Sequence, residues 1–221
     1  MVTLSEENYL KTIYHLRKQD EDYVSTNSIA EKIETKASSV SDMLRKLSEK
    51  DLVDYVKYKG AALTTEGLKA AINVIRKHRL WEVFLVNKLN FSWDEVHDVA
   101  EQLEHIKSKK LVSQLDKYLN YPTHDPHGDP IPDGDGNFKI VDKIVLAKAK
   151  ENKLYKCVGV DDSSPQFLQY LDKNNIALGS TLKVIFKEAF DESMLIEINT
   201  KQLVISKEVS KNLYIKNIKN D

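Results

Sequence analysis

The chain has 221 residues, 41% apolar and 30% charged, enough to bury one large core or two to three small ones. Its single cysteine, Cys157, excludes an internal disulfide framework and a thiolate zinc site. No apolar run approaches the roughly 18 residues that span a bilayer, and no signal-peptide core stands at the start, so a soluble, cytoplasmic protein with no membrane partner is expected. The net charge of −1 says nothing about partners until it is divided along the chain.

In chain order, a helix is expected from about Glu6 to Lys18, with Tyr9, Ile13 and Leu16 inward. A second helix around Thr26–Ile33 buries Ile29 and Ile33. After a short turn, Ser38 or Ser39 is suited to cap a third, whose Val40, Met43, Leu44 and Leu47 recur at i, i+3, i+4, i+7. Residues 52–56 and 61–64 then alternate around Lys57-Tyr58-Lys59-Gly60, a hairpin with a basic tip. Helix–turn–helix plus wing is the arrangement that lays a third helix in the major groove of double-stranded DNA and a wing on the backbone. Ser38, Ser39, Ser41, Asp42 and Arg45 line the exposed face of that helix, and Lys57 and Lys59 flank the wing tip. Arg45 suits a phosphate or a guanine edge, and the serines suit phosphate oxygens. A generic three-helix unit for protein contacts is the plainer reading.

Four of the five prolines and three of the seven glycines fall between 122 and 136, a boundary loop. Before it the pattern is helical. After it come five short β-type runs (155–160, 182–186, 195–198, 203–205 and 213–218) interrupted by a helix around Gln166–Asn174, which suggests a small barrel. Cys157 reads as a buried small hydrophobe within the first of these runs. Trp81 and Trp93 read as core.

The most informative stretch is His97 to His105. On one helix His97, Glu101, Glu104 and His105 share an arc of roughly 100°, with Val96, Val99, Ala100, Leu103 and Ile106 opposite. Upstream, His78 and Glu82 stand at i, i+4. Carboxylates and imidazoles on one stripe repel unless something positive sits among them, and a divalent cation is the simplest compensation. A solvated polar face is the bland alternative. Residues 94–138 carry a net −6, against +2 for residues 36–59, so the acidic excess coincides with the ligand stripe. His15, His124 and His127 lack ligand-spaced partners and read as surface or loop-structuring.

The run Tyr9-Leu10-Lys11-Thr12-Ile13-Tyr14, then Arg76-Lys77-His78-Arg79-Leu80 with Glu82, then residues 97–105, then Pro126-His127-Gly128-Asp129-Pro130-Ile131-Pro132, resembles the diphtheria toxin repressor family over essentially the whole chain. That family comprises metal-dependent bacterial repressors of iron or manganese uptake, and the resemblance is nearest to its three-domain, manganese-type members. It implies a mainly α chain with a small β domain: a winged helix-turn-helix domain (1–64), a helical metal-binding and dimerisation domain (65–138), and an SH3-like, FeoA-like C-terminal barrel (139–221). Two metal positions are implied, one from Asn8, Glu101, Glu104 and His105, the other from His78, Glu82 and His97 with a third-domain ligand, Asp162 first and Gln166 next.

Iron-type members carry sulfur ligands at the positions of Asn8 and Glu101, and manganese-type members carry an aspartate at that of Asn8. Glu101 therefore fits a hard Mn2+ or Fe2+ site, while Asn8 departs from it. Lys11 lies where some two-metal members have a glutamate, so a directly bridged metal pair is not expected. The function implied is a metal-dependent repressor of metal-uptake genes, a homodimer on a pseudo-palindromic operator, with the DNA-binding domain swinging free when no metal joins it to the second domain. The alternatives are a helical-bundle metalloenzyme and a winged-helix regulator without a metal switch. Against the enzyme, position 104 is Glu where the Glu-x-x-His of di-iron bundles needs His, and no phosphate loop or nucleophile elbow is present.

Overall fold

A computed structural model describes residues 2–18, 21–139, 142–198 and 200–218, and its core falls into three apolar clusters. The first is built by α1 (Leu4–Leu16), α2 (Thr26–Lys32), α3 (Ala37–Glu49) and the hairpin β1 (Val53–Val56) and β2 (Gly60–Leu63). Thr3 and Glu6 close α1 with a capping box, satisfying two of the amides that a helix start leaves without partners. Tyr9 and Ile13 are buried and Leu16 packs partly buried against the same core, as expected, with Leu10 fully buried beside them; α1 begins two residues earlier than its periodicity suggested. At α3 the cap position falls on Lys36, which makes no side-chain cap bond, so Ser38 and Ser39 stand inside the first turn.

Helix α4 (Thr65–Leu89) is the molecule's spine. Thr64 caps its start, and Asn90 ends it in the left-handed conformation at φ 59°. Its first half packs Ala71 into the first core; its second half places Leu80, Trp81, Val83 and Leu85 in the next. There it meets α5 (Val96–Leu103) and α6 (Lys109–Tyr118). The expected single stripe from 97 to 105 is corrected here: α5 ends at Leu103, Glu104 caps it, and Ile106 N–H turns back to Leu103 O at 3.2 Å. Glu104 still donates its N–H to Ala100 O at 2.9 Å and stays beside Glu101, while His105 lies in the tighter turn beyond it.

The third core lies in a six-stranded antiparallel sheet, ordered β3 (Ile144–Val145), β8 (Leu213–Asn217), β4 (Leu154–Val160), β5 (Thr181–Lys187), β6 (Met194–Ile198) and β7 (Lys201–Ile205). Helices α7 (Pro165–Lys173) and α8 (Lys207–Lys211) complete it, and Cys157 is buried within, its thiol pushed up to about 11 by burial. Strand β3 and helix α8 had no counterpart in the sequence reading; two and five residues are too few to display a period. The boundary loop docks on this domain through Gly128, whose φ is +87°. A Cβ there would stand 2.2 Å from Val158 O and 2.4 Å from Gly159 Cα, so only glycine permits the approach. Val160 N–H donates to His127 O alongside, at 2.9 Å, which fixes His127.

Candidate metal centre and nucleic-acid interface

One turn of α4 separates His78 from Glu82, which puts both on one face, and α5 brings His97 against them. His78 Nε2 lies 3.1 Å from both Glu82 Oε1 and His97 Nδ1, and His97 Nδ1 lies 3.5 Å from Glu82 Oε1. The ligand atoms of these three fall within 4.8 Å of one another, so the structure brings together this part of the expected set. Burial works against a charged His78, but its bonds to Glu104 and Glu82 override that and push it up to about 9. Burial likewise opposes charge on Glu82, yet His127, His78 and His97 hold its carboxyl well below the usual range.

Glu104, with no solvent exposure, sits between two groups of residues. Its Oε2 accepts from His78 Nδ1 at 2.6 Å. Its Oε1 accepts from Lys11 Nζ at 2.6 Å, and the same ammonium donates to Glu101 Oε1 at 3.0 Å. Burial raises both carboxyls, but His78 and Lys11 for Glu104, and Lys11 for Glu101, bring them below the ordinary value. The expectation of unbalanced carboxylates driving the domains apart is therefore corrected: an ammonium from α1 already sits between them.

The other expected partners of Glu104 are only partly gathered. His105 Nε2 is 3.5 Å from Glu104 Oε1, but its Nδ1 pairs with Glu7 Oε2 at 2.6 Å. Glu7 in turn faces the buried Lys77, 3.8 Å away. Asn8, half-buried on α1, lines the same cleft as Lys11, His78, Glu82, His97 and Glu101, a space of about 650 Å³. Its Oδ1 is buried and has no hydrogen-bond partner among the described residues. A buried amide oxygen without a donor is costly, and a cation beside carboxylates and imidazoles satisfies it, so the residues fit a hard divalent metal. Nothing in the spacing of Glu7 marks its pairing with His105; α1 and the 104–106 turn meet only in the folded chain.

A second group gathers around Glu82 without any ligand spacing in the sequence. Glu82, Asp125 and His127 also bring their ligand atoms within 4.8 Å, all three buried. His127 is thus not at the surface: its Nδ1 is 3.7 Å from Glu82 Oε1, its Nε2 donates to Trp93 O at 2.9 Å, and its ring stacks on Trp93. Burial opposes its charge, but Glu82 pushes it up to about 9. Asp125 accepts the backbone N–H groups of His127 and Asp129, and burial with Glu82 and Asp129 nearby pushes it up to about 7. The expectation for Asp162 is corrected. Its Oδ1 accepts Ser164 N–H at 2.7 Å, at the start of α7, and Asp161 and Ser163 line the cleft instead. Gln166 is exposed on α7.

On the far side of the first domain, Ser38, Ser39, Asp42 and Arg45 are exposed on α3, with Arg45 Nη1 paired to Asp42 at 3.1 Å. Ser41 is half-buried and donates its hydroxyl to Ala37 O at 3.0 Å. Lys57, Tyr58 and Lys59 project at the wing tip, where Tyr58 takes φ 68° and Lys59 Nζ lies 4.0 Å over the Tyr23 ring.

Residues 1–61 match the family model described as the iron dependent repressor N-terminal DNA binding domain. Residues 64–133 match that of the iron dependent repressor metal binding and dimerisation domain, and residues 144–217 the FeoA domain. The iron-dependent repressor IdeR of Mycobacterium leprae (strain TN) is 38% identical over 126 residues, 57% of this chain and 54% of its own length. The chain thus spans about half the length of the first curated relatives it matches. A solved manganese-dependent transcriptional repressor in complex with manganese superposes with a TM-score of 0.82 at 35% identity, over 96% of this chain and 100% of that one. The manganese regulator SloR does so at 0.71 and 38%, covering 96% of this chain and 98% of its own.

Proposed function

The chain belongs to the family of metal-dependent transcriptional repressors that includes the iron-dependent and diphtheria toxin repressors, and from that premise we propose that Mn2+ or Fe2+ switches on its binding to double-stranded DNA upstream of metal-uptake genes. It acts in the cytoplasm as a homodimer on a pseudo-palindromic operator, without enzymatic activity. Its division is 1–64 for DNA, 65–138 for metal and dimerisation, and 139–221 as an FeoA-like accessory domain.

The observation that carries this reading is that α1, part of the DNA-binding unit, supplies Asn8 and Lys11 to a cleft whose other walls are His78, Glu82, His97 and Glu101 of the second unit. Asn8 and Glu101 of that cleft, together with Glu104 and His105, are the residues that would hold one ion, and His78, Glu82 and His97 of the cleft the second. His127 and Asp125 steady Glu82 or join it. Every donor is oxygen or nitrogen, which suits Mn2+ and Fe2+ over soft metals. When bound, the cation supplies a positive centre that favours one spacing of α1 against α5.

The chain's own residues do the rest. His78 yields its protons, Glu104 turns toward the cleft that Glu101 already lines, and Asn8 carries the position of α1 to the recognition helix α3. Arg45, Lys57 and Lys59, with Ser38 and Ser39, face the DNA backbone and groove; Asp42 restrains Arg45, and Ser41 is available only if it gives up Ala37 O. Metal and DNA then strengthen each other's binding reciprocally. A gel shift on genomic fragments upstream of metal-transporter genes, in chelator and in saturating Mn2+, tests this reading. Retardation only with Mn2+ is expected, and equal retardation in both would overturn it.

A further inference from the structure

The ammonium between Glu101 and Glu104 has no place in a metal site, yet its geometry is that of an occupant. Lys11 lies one turn beyond Glu7 and Asn8 on α1, so all three share a face. Its Nζ contacts one oxygen of each carboxylate, at 2.6 and 3.0 Å, both charge-assisted bonds. The Lys11 side chain is only 13% exposed and that of Glu104 not at all, so the Lys11–Glu104 bond is shielded from water, whereas Glu101 is half exposed. Both oxygens of Glu104 are engaged, Oε2 by His78 and Oε1 by Lys11.

We propose that Lys11 is a tethered cation that fills the metal position, latches α1 to the Glu101–Glu104 turn in the metal-free protein, and is expelled when a divalent ion binds. This inference rests on the reading of Glu101 and Glu104 as ligands. An ammonium and a divalent ion cannot share the same carboxylate edges without strong repulsion, so entry of the metal requires Lys11 to swing away. The exchange replaces one positive bridge between the domains by another. The metal-free joint is therefore closed in a Lys11-set geometry rather than loose, and every metal ion binds at the expense of that bridge.

The test is a calorimetric Mn2+ titration of the full chain as wild type, Lys11→Met and Lys11→Arg, with hydrogen exchange of the metal-free proteins. Lys11→Met keeps length and removes charge; it should bind Mn2+ at least about tenfold more tightly, the scale of one hydrogen bond to a charged group. In the metal-free state the same variant should exchange faster over residues 7–11 and 101–105. Lys11→Arg should restore both the protection and the weaker affinity. Equal or weaker Mn2+ binding by Lys11→Met would overturn the proposal, as would unchanged exchange. A wild type that binds no Mn2+ would sink the ligand reading and this inference together. Should Lys11→Met fail to fold, Lys11→Gln carries the same comparison.

Discussion

The His78 half and the Glu101 half of the centre share the Glu104 carboxylate but are assembled differently. His78 and Glu82 come from one helix, with His97 laid against them by α5, so this half is complete within the second domain. The Glu101–Glu104 half also draws on groups from outside that domain, Lys11 and Glu7 of α1. A cation on the first half has no direct purchase on the DNA-binding unit. One on the second half has, because α1 cannot move without changing its surroundings. Leverage over α3 therefore resides in the half that crosses the joint.

Removing the residue common to both halves should erase the distinction. Glu104→Ala takes from His78 and Lys11 one carboxylate partner each, leaving them only Glu82 and Glu101, so the metal-free protein should lose about 1.5–3 kcal/mol of stability for each charge-assisted bond removed. Metal-activated DNA binding should vanish, read by denaturant melts beside a metal-titrated gel shift. Wild-type activation would mean that neither half uses this carboxylate.

Acidity separates the halves next. His78 and His127 are raised to about 9 in the fold, above the roughly 6.5 of a free imidazole. Groups raised in the fold stabilise it fully below the unfolded value and lose that contribution as pH climbs through the folded one. The metal-free protein should thus lose on the order of a few kcal/mol between pH 6.5 and 9. Mn2+ must displace the same protons, so its affinity should rise across that window, by about tenfold per pH unit for each proton released. Calorimetry in buffers of different protonation enthalpy counts those protons, and none released would show that the His78 half is not a ligand set.

His127→Ala probes the edge of the His78 half. Losing the ring that faces Glu82 should weaken Mn2+ binding by about 10- to 100-fold, the usual cost of removing a group that orients a ligand. An unchanged titration would return His127 to the role of a loop anchor. The smallest effects belong to the opposite face of the domain. Arg45→Ala and Lys59→Ala should leave Mn2+ affinity untouched and flatten the salt dependence of DNA binding by about one unit of slope per lost phosphate contact. Unaltered slopes in both would place the DNA surface elsewhere.

How much of this was legible beforehand follows the same division. Helix periodicity and i, i+4 spacing announced α1, α2, α3 and the His78–Glu82 pair, because those signals are local. The 97–105 stripe was legible as chemistry but not as geometry: the chain turns at Glu104, and no residue there breaks the helical pattern. Lys11 was read from the resemblance as an obstacle to a metal pair, whereas its contact with Glu104, 93 residues away, exists only once α1 packs on α4. His127 and Asp162 exchanged importance for a similar reason, since the glycine-dependent docking of the boundary loop on β4 holds His127 beside Glu82, a contact between residues 45 apart that no local spacing displays. Position 8 stood out as a departure from the family pattern, and its lone buried oxygen is that departure seen in three dimensions.

The most direct test is reciprocal linkage. Operator affinity is measured by fluorescence anisotropy across free Mn2+ concentrations, and Mn2+ affinity by calorimetry with and without saturating operator. If the centre locks α1 in the DNA-competent position, metal should tighten operator binding and operator should tighten metal binding by the same factor. Lys11→Met should bind metal more tightly than wild type and still show that equality. Mn2+ bound with identical affinity in the presence and absence of operator would contradict the account, because the metal would then have no hold on the DNA-binding domain.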